Sequence, residues 1–483
     1  MTDAQMYSRL LASDAGFNGR FFFGVISTGI YCLPSCRARK PKAENVKFFP
    51  TAEAARASGL RACKKCHPDD FALGADPVLE TIETVVAEIR ANPAAFPDVR
   101  AVVRRSGFGA TRVFELFRQH YHTTPADLLL RARLDHAKKA LGESRAGLAA
   151  IAGDAGFESL SVFHEHFRKL NGLTPVAYRG LSANNAFELA LPAGYPLGYL
   201  RRALSRDIHS LTERLEGNVY SCAVRLTTGP AVLTMTLAAK SVHVEIVAAP
   251  DGASGKRGAS PSAVEAREIA AGLLGLDQDA AAFARLARRL GLARLTAGRK
   301  ELRISRTHSV YEGLLWAIIG QQINFAFACL LRRRLIERAG LPLGNGLHVP
   351  PTPETVAALT IDDLLPLQYS RSKADYVIAT SRLIAEGKLD LKALHNLSAT
   401  RAERTLLAIR GLGPWSVNYI MMRALGFPDC VPLGDTGVTS GLLALFKLDR
   451  RPDIDATKRL MTVFSPYRSL ATTHLWQFNH PIP

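Results

Sequence analysis

The sequence predicts a multidomain chain: a small α/β domain held by clustered cysteines, an all-α double helix-turn-helix, an α+β support domain, and an all-α C-terminal domain organised around a glycine-rich hairpin. Three observations lead to that class. Four of the seven cysteines fall within 35 positions. A pattern of glycine turn, amphipathic helix and Thr-Pro recurs 49 to 50 residues apart, at Ser106 to Pro125 and again at Ala155 to Pro175. Strand-like alternation then gives way to a helical stretch broken by the phrase Gly-Leu-Gly-Pro. At 483 residues the chain exceeds what one core supports, and domains are expected at 1–76, 77–181, 184–290 and 291–483.

Charge narrows the function before any motif does. Lysine and arginine exceed the acids by 61 to 43, a formal net charge of +18, which favours a polyanionic partner such as nucleic acid over a small acidic metabolite. The opening, MTDAQMYSRLLASD, lacks the uninterrupted apolar core of a secretory signal. The longest apolar runs, such as Leu314 to Ile319, fall far short of the roughly 20 residues that cross a bilayer. A cytoplasmic protein with no membrane contact is expected. In that reducing compartment an odd number of cysteines argues against a disulfide framework.

In the first part, Cys32 and Cys36 form C-x3-C, and Cys63 and Cys66 form C-x2-C. Two short loops bring two thiolates each to one ion, so the expected cofactor is a single Zn²⁺ held by four cysteines. The scattered Cys222, Cys329 and Cys430 read as small buried hydrophobes. Basic residues crowd the site: Arg37, Arg39, Lys40 and Lys42, then Arg61, Lys64 and Lys65. They form either a solvated rim or a surface that attracts phosphate.

Phe21 to Phe49, FFFGVISTGIYCLPSCRARKPKAENVKFF, with RACKKCHPD at Arg61 to Asp69, resembles the zinc domain of the Ada family of DNA-methylation-response proteins. The resemblance implies that Cys32 is both zinc ligand and nucleophile, taking a methyl group from a DNA methylphosphotriester and keeping it. It makes Cys36, Cys63 and Cys66 the remaining ligands. The Pro-Cys-His-Arg phrase of the Ada C-terminal methyltransferase domain does not occur in this sequence, so direct reversal of O6-methylguanine is not expected.

In the second part each copy of the repeat is a helix-turn-helix pattern. IAGDAGFESLSVFHEHFRKLNGLTPVAYR, Ile151 to Arg179, resembles the signature of AraC-type transcription regulators, which carry two such motifs joined by a long helix, here Pro125 to Leu141. Phe157, Phe163 and Phe167 are expected in the core. The N-terminal face of the second helix of each motif would enter the major groove. That places Thr111, Arg112 and Glu115, and Ser159, Ser161 and His164, near base edges, although a solvated helix face reads the same.

After a SANN linker, Ser182 to Asn185, the segments FELALPAGYPLGYLRRAL, AVRLTTG, AVLTMTLA and SVHVEIVA alternate as strands with one helix. DGASGKRGASPSA, Asp251 to Ala263, is expected as a flexible surface loop. No ligand constellation stands out, so this domain is expected to be structural.

The last part contains LLAIRGLGPWSVNYIMMRALGFPDCVPLGDTGV, Leu406 to Val438. Gly411 and Gly413 are expected to adopt backbone angles closed to other residues, Pro414 to open the next helix, and the exposed N–H groups to meet a phosphate. With Asp435 following in VPLGDTGV, the segment resembles the helix-hairpin-helix DNA glycosylase superfamily, nearest the AlkA group of 3-methyladenine DNA glycosylases. The likeness extends from about Phe187 to the end, through GLLWAIIGQQIN and SPYRSLATTHLWQF. It implies that Asp435 stabilises the oxocarbenium-like sugar as an alkylated base leaves. Trp415, Tyr419 and Trp476 would hold the flipped base by stacking and cation–π attraction, the alternative being plain packing. Trp316 lies nearby, with packing in the core as its alternative role. Gln321 and Gln322 occupy the place of the side chain that fills the vacated stack, and Gln322 is taken as a pocket residue.

Strand-nicking relatives carry a lysine where this chain has Trp415, so a monofunctional glycosylase is expected. The four-cysteine cluster of iron–sulfur relatives is absent from the C-terminal sequence. The partners implied are alkylated and promoter double-stranded DNA, with RNA polymerase a candidate, and the chain is expected to act as a monomer at the nucleoid. The rival reading is a transcription regulator whose glycosylase half is an inactive DNA clamp.

Overall fold

The computed structural model describes residues 1–36, 38–72, 76–248, 262–343 and 345–480. They fall into two compact units, Met1–Glu88 and Ile89–Pro483. Among them no helix is long and apolar enough to cross a membrane.

The first unit opens with helix Asp3–Leu11, started by a capping box between Thr2 and Gln5. Four short strands follow: Phe22–Val25, Ile30–Cys32, Val46–Phe49 and Arg61–Ala62. The first strand pairs antiparallel with the second and third, and the fourth runs parallel to the second. Tyr31, Phe22 and Phe49 are buried between this sheet and helix Ala52–Ala57. The parallel pairing of Tyr31 with Ala62 sets the two cysteine pairs side by side.

In the second unit the helix-turn-helix motifs are Val99–Ser106 with Ala110–Tyr121, and Leu148–Asp154 with Leu160–Asn171. The connecting helix is Pro125–Glu143, two residues longer than expected. Gly107 at φ +71° ends the first helix in the left-handed region that glycine tolerates. The Thr-Pro phrases begin the next helix more than they stop the last. Thr124 and Thr174 accept hydrogen bonds from Asp127 N–H and Ala177 N–H, and the proline behind each takes the first helical position.

The support sheet has five antiparallel strands in the order Ala186–Ala190, Ser241–Ala248, Gly229–Leu237, Val219–Leu226, Glu213–Glu216. In Ser241–Ala248 Val242, Val244 and Ile246 are buried and alternate with exposed residues, as period two requires. Of the expected loop Asp251 to Ala263, residues 251–261 lie outside the described residues. The SANN stretch is not a free linker. Leu181, 2% exposed, is the buried residue of a 3-10 turn at Gly180–Ala183 that leads into it, and Asn185 O accepts from Ile246 N–H at 2.8 Å.

The rest is helical apart from a two-stranded ladder, Leu341–Pro342 with His348–Val349, which the sequence reading missed. Helices Val310–Ile319 and Pro414–Arg423 pack closely because Gly313 is bare: a Cβ there would stand 2.6 Å from Ala424 Cβ. A buried polar network ties sheet to helices, with Arg332 3.3 Å from Glu312 and 3.6 Å from Glu213. Each buried charge there has a partner, as burial demands.

Candidate metal centre and catalytic pocket

The sulfur atoms of Cys32, Cys36, Cys63 and Cys66 all lie within 4.8 Å of one another. Zinc–sulfur bonds of about 2.3 Å in a tetrahedron set sulfurs roughly 3.8 Å apart, so the donor set fits one closed Zn²⁺ site. Leu33 N–H points at Cys66 Sγ and Lys65 N–H at Cys63 Sγ, each at 3.4 Å, the outer contacts that orient thiolate ligands. The Cys32 thiol is pushed up by its hydrogen bonds to Cys36 and Cys66, while Cys36 is pulled down chiefly by Cys32. Crowded sulfurs share protons unequally, a conflict that a divalent cation removes. Cys32 is only 4% exposed.

Of the basic residues around this centre, Arg39, Lys42, Arg61, Lys64 and Lys65 are exposed. Lys40 has a structural task, donating to Ser13 Oγ at 2.6 Å and to the Cys36 carbonyl at 2.7 Å. Arg37 lies outside the described residues.

In the helix-turn-helix pair Phe163 and Phe167 are fully buried and Phe157 nearly so, as expected of core positions. Thr111, Glu115 and Ser161 are exposed, and Arg112, Ser159 and His164 half-buried. Arg112 pairs with Glu115 at 3.2 Å.

The candidate catalytic pocket is built from four helices. The lead-in helix Ala399–Leu407 runs into the hairpin loop, and the pocket helix Pro414–Arg423 leaves it. Gly411 sits at φ +93° against the ring of Tyr376, where any Cβ would collide. Gly413 corrects the expectation for the second glycine. At φ −95° and ψ 178° it is extended backbone open to any residue, and a Cβ there would meet nothing within 4 Å. What this position offers is an unobstructed helix N-terminus.

Trp415 and Tyr419, one turn apart on the pocket helix, stack with centroids 5.4 Å apart and planes 18° from parallel. Trp476, from the C-terminal helix Arg468–Phe478, stands 6.4 Å from Tyr419. All three rings are partly exposed. Asp435 caps the third helix, Thr436–Phe446. Its Oδ1 accepts from Val438 N–H at 2.9 Å and from Trp476 Nε1–H at 2.8 Å, and its Oδ2 accepts from Trp415 Nε1–H at 3.2 Å. Three donors therefore converge on one carboxylate at the positive end of a helix.

Sequence reasoning missed several supporting residues. Gly437 leaves room for Trp476, since a Cβ would stand 2.7 Å from Trp476 Cδ1 and 3.2 Å from Asp435 Oδ1. The only sequence signal was its place in the phrase LGDTG. Gln321 donates to the Gly411 carbonyl at 2.8 Å and to Ser416 Oγ at 2.9 Å, stitching the turn after helix Val310–Ile319 to the hairpin. Lys373 Nζ donates to the Ile319 and Gln321 carbonyls of the same turn at 2.5 and 2.7 Å. Gln322 is exposed at the tip of that turn with φ +56°. Trp316 packs partly against the core, and Phe325 meets its ring edge at 5.6 Å.

Three family models match the chain in order. Residues 5–69 match the metal binding domain of Ada, residues 102–180 a helix-turn-helix domain, and residues 315–466 the HhH-GPD superfamily of base excision DNA repair proteins. The chain is 29% identical to a Mycobacterium tuberculosis protein named probable bifunctional transcriptional activator/DNA repair enzyme AlkA, over 99% of this chain and 96% of that protein. It is 34% identical to a DNA-3-methyladenine glycosylase of Bacillus subtilis, over 42% of this chain and 68% of that enzyme. Among solved structures, the 3-methyladenine DNA-glycosylase of Archaeoglobus fulgidus shares the fold at 19% identity and a TM-score of 0.52, covering 60% of this chain and 97% of that one.

Proposed function

The chain belongs to the DNA-3-methyladenine glycosylases, with an Ada-type metal-binding domain and a helix-turn-helix domain ahead of the catalytic part, and from that membership we propose that it joins sensing of DNA alkylation to excision of alkylated bases. The observation that carries the excision half is the carboxylate of Asp435 held by Trp415, Trp476 and Val438 beside three accessible aromatic rings.

An N-alkylated purine such as 3-methyladenine leaves easily, so the protein's task is to extract it and steady the sugar. Phosphates of the lesion strand meet the open N-terminus at Gly413, where N–H groups point outward. The flipped base stacks against Trp415, Tyr419 and Trp476, whose faces attract its positive charge. Gln322, displayed on its turn, fills the gap left in the duplex. As the glycosidic bond breaks, its electrons go to the base and positive charge develops on the sugar. Asp435 faces that charge and positions the water that becomes the new hydroxyl, its own geometry fixed by the three donors. Trp415 has no amine with which to form an imine, so the product is an abasic site without strand cleavage.

The four cysteines of the first unit hold one Zn²⁺, which keeps the sulfurs deprotonated and in place. Cys32 accepts the methyl of a methylphosphotriester: a sulfur–carbon bond forms, the oxygen–carbon bond breaks, and the phosphate regains its negative charge. Turning one thiolate into a neutral thioether lowers repulsion toward DNA phosphates. The helix-turn-helix pair, reading bases through Arg112, Ser161 and His164, then directs the protein to promoters and regulates transcription.

One incubation tests both halves. The zinc-loaded protein and its Asp435→Asn variant are mixed with duplex DNA carrying methylphosphotriesters and 7-methylguanine. Intact mass with peptide mapping, and chromatography of free base, are then recorded. The reading expects one methyl on Cys32 in both proteins. It expects base release by the wild type and a loss of at least about 100-fold in the variant, the scale of removing a preorganised electrostatic group. Asn retains the helix cap, so folding is preserved. Base release unaffected by Asp435→Asn would sink the catalytic assignment. No release by the wild type would leave the clamp reading standing.

A further inference from the structure

The helix-turn-helix pair and the catalytic half are joined by packing, not by a tether. Phe163 and Phe167 of the second motif share one core with Phe187, Leu189 and Tyr220 of the support sheet. Arg267, 2% exposed, reaches from helix Ala263–Leu274 and donates through Nε and Nη2 to the Asn171 carbonyl at 3.2 and 2.5 Å. That carbonyl closes the C-terminal end of the second recognition helix. At the first motif, the recognition helix Ala110–Tyr121 lies against the lead-in helix, with His120 Nδ1 2.9 Å from Thr400 Oγ1. Arg90 Nη1 donates to the Asn396 carbonyl at 2.6 Å, and the His122 ring meets Phe427 edge-on at 5.7 Å. In both motifs the anchored part is the C-terminal end of the recognition helix. The N-terminal ends, with Thr111, Glu115 and Ser161, stay exposed.

We propose that the helix-turn-helix pair has a second function as an accessory grip for base excision, holding duplex that flanks the lesion while the hairpin holds the lesion strand. This rests on the excision reading above. Along the first recognition helix Arg112 to His120 spans about 12 Å, and along the lead-in helix Thr400 to Leu407 spans about 11 Å. The two spans sum to about 23 Å, so the base-reading face and the start of the hairpin loop lie within about one duplex turn of each other, ~34 Å. The grip requires that a single duplex meet both. Phosphate contacts carry no sequence information, so the grip acts wherever a lesion lies, not only at promoters. Because the two contact points belong to one packed unit, the second contact forms at high effective concentration once the first is made.

The test compares KM and kcat for release of 7-methylguanine by the full-length, zinc-loaded protein from duplexes of about 12 and about 40 base pairs, roughly one and four turns. The grip predicts a KM on the longer duplex about tenfold below that on the shorter, with equal kcat, equivalent to about 1.4 kcal/mol of added binding. It predicts that Arg112→Glu in the first motif and Ser161→Glu in the second each erase most of that length dependence. Equal KM values on the two duplexes, or a length dependence that survives both substitutions, overturns the proposal. Absence of base release from either duplex overturns the excision reading instead.

Discussion

Asp435 does two jobs with one side chain. As a helix cap it takes the Val438 N–H, and the same oxygen takes the Trp476 indole while the other takes Trp415. The cap fixes the carboxylate, and the carboxylate fixes two walls of the pocket. This geometry depends on the absence of a side chain at Gly437, where a Cβ would press on Trp476 Cδ1 at 2.7 Å. Gly437→Ala is expected to displace Trp476 and lower the single-turnover rate of base release by roughly 10- to 100-fold, the penalty of an ångström-scale misplacement. Overpacking should also cost about 1–3 kcal/mol of stability, read from the denaturant midpoint. A variant with the wild-type rate would show that Trp476 need not hold Asp435. The place of the aspartate just beyond the hairpin was legible in VPLGDTGV. The need for Gly437 was not, because its neighbour Trp476 lies on another helix and sequence spacing says nothing about their approach.

At the scale of elements, the N-terminal module shows how little core a metal domain requires. Its strands have two to four residues each, and three of the four ligand cysteines are themselves core members. Below about 40 residues of packed structure a chain usually needs such a staple, and a metal site that forms only on folding contributes its binding energy to stability. Chelation of the zinc should therefore melt the first unit and expose residues 1–72 to protease, while Ile89 onward keeps its thermal transition and its base release. Loss of both together would mean that the catalytic half depends on the module. The cysteine pairs were legible from spacing alone. That Lys40 pins the Cys36 loop and is not part of a free basic surface depended on its reach to Ser13, 27 positions away in sequence.

For the whole molecule, the unexpected feature is where one domain stops. The sequence has a repeat, then a short polar stretch, then strands, which reads as two domains and a linker. In the fold, Leu181 at the start of that stretch is buried, and aromatic residues on both sides of it join one core. Phe167→Ala should accordingly destabilise by about 3–5 kcal/mol, the usual result of truncating a fully buried aromatic residue. The loss should appear equally in probes placed in the second motif and in the support sheet, as one cooperative transition. Two separate transitions, with only the motif destabilised, would restore the picture of independent domains.

The sequence by itself determined the classes of the parts, and it located the residues proposed to carry the chemistry: four cysteines at zinc spacing, a repeated helix-turn-helix, and an aspartate beyond a Gly-Leu-Gly-Pro hairpin. These are local patterns, and local patterns survive in a linear string because backbone angles, helix caps and ligand spacing act over a few residues. Tertiary structure alone decided the rest: which donors aim at Asp435, that Gly413 is extended, that Gln321 and Lys373 brace the hairpin, and that the regulator shares a core with the support sheet. Each of those facts joins segments far apart in the chain, and burial selects such contacts by shape and area, to which sequence order is indifferent.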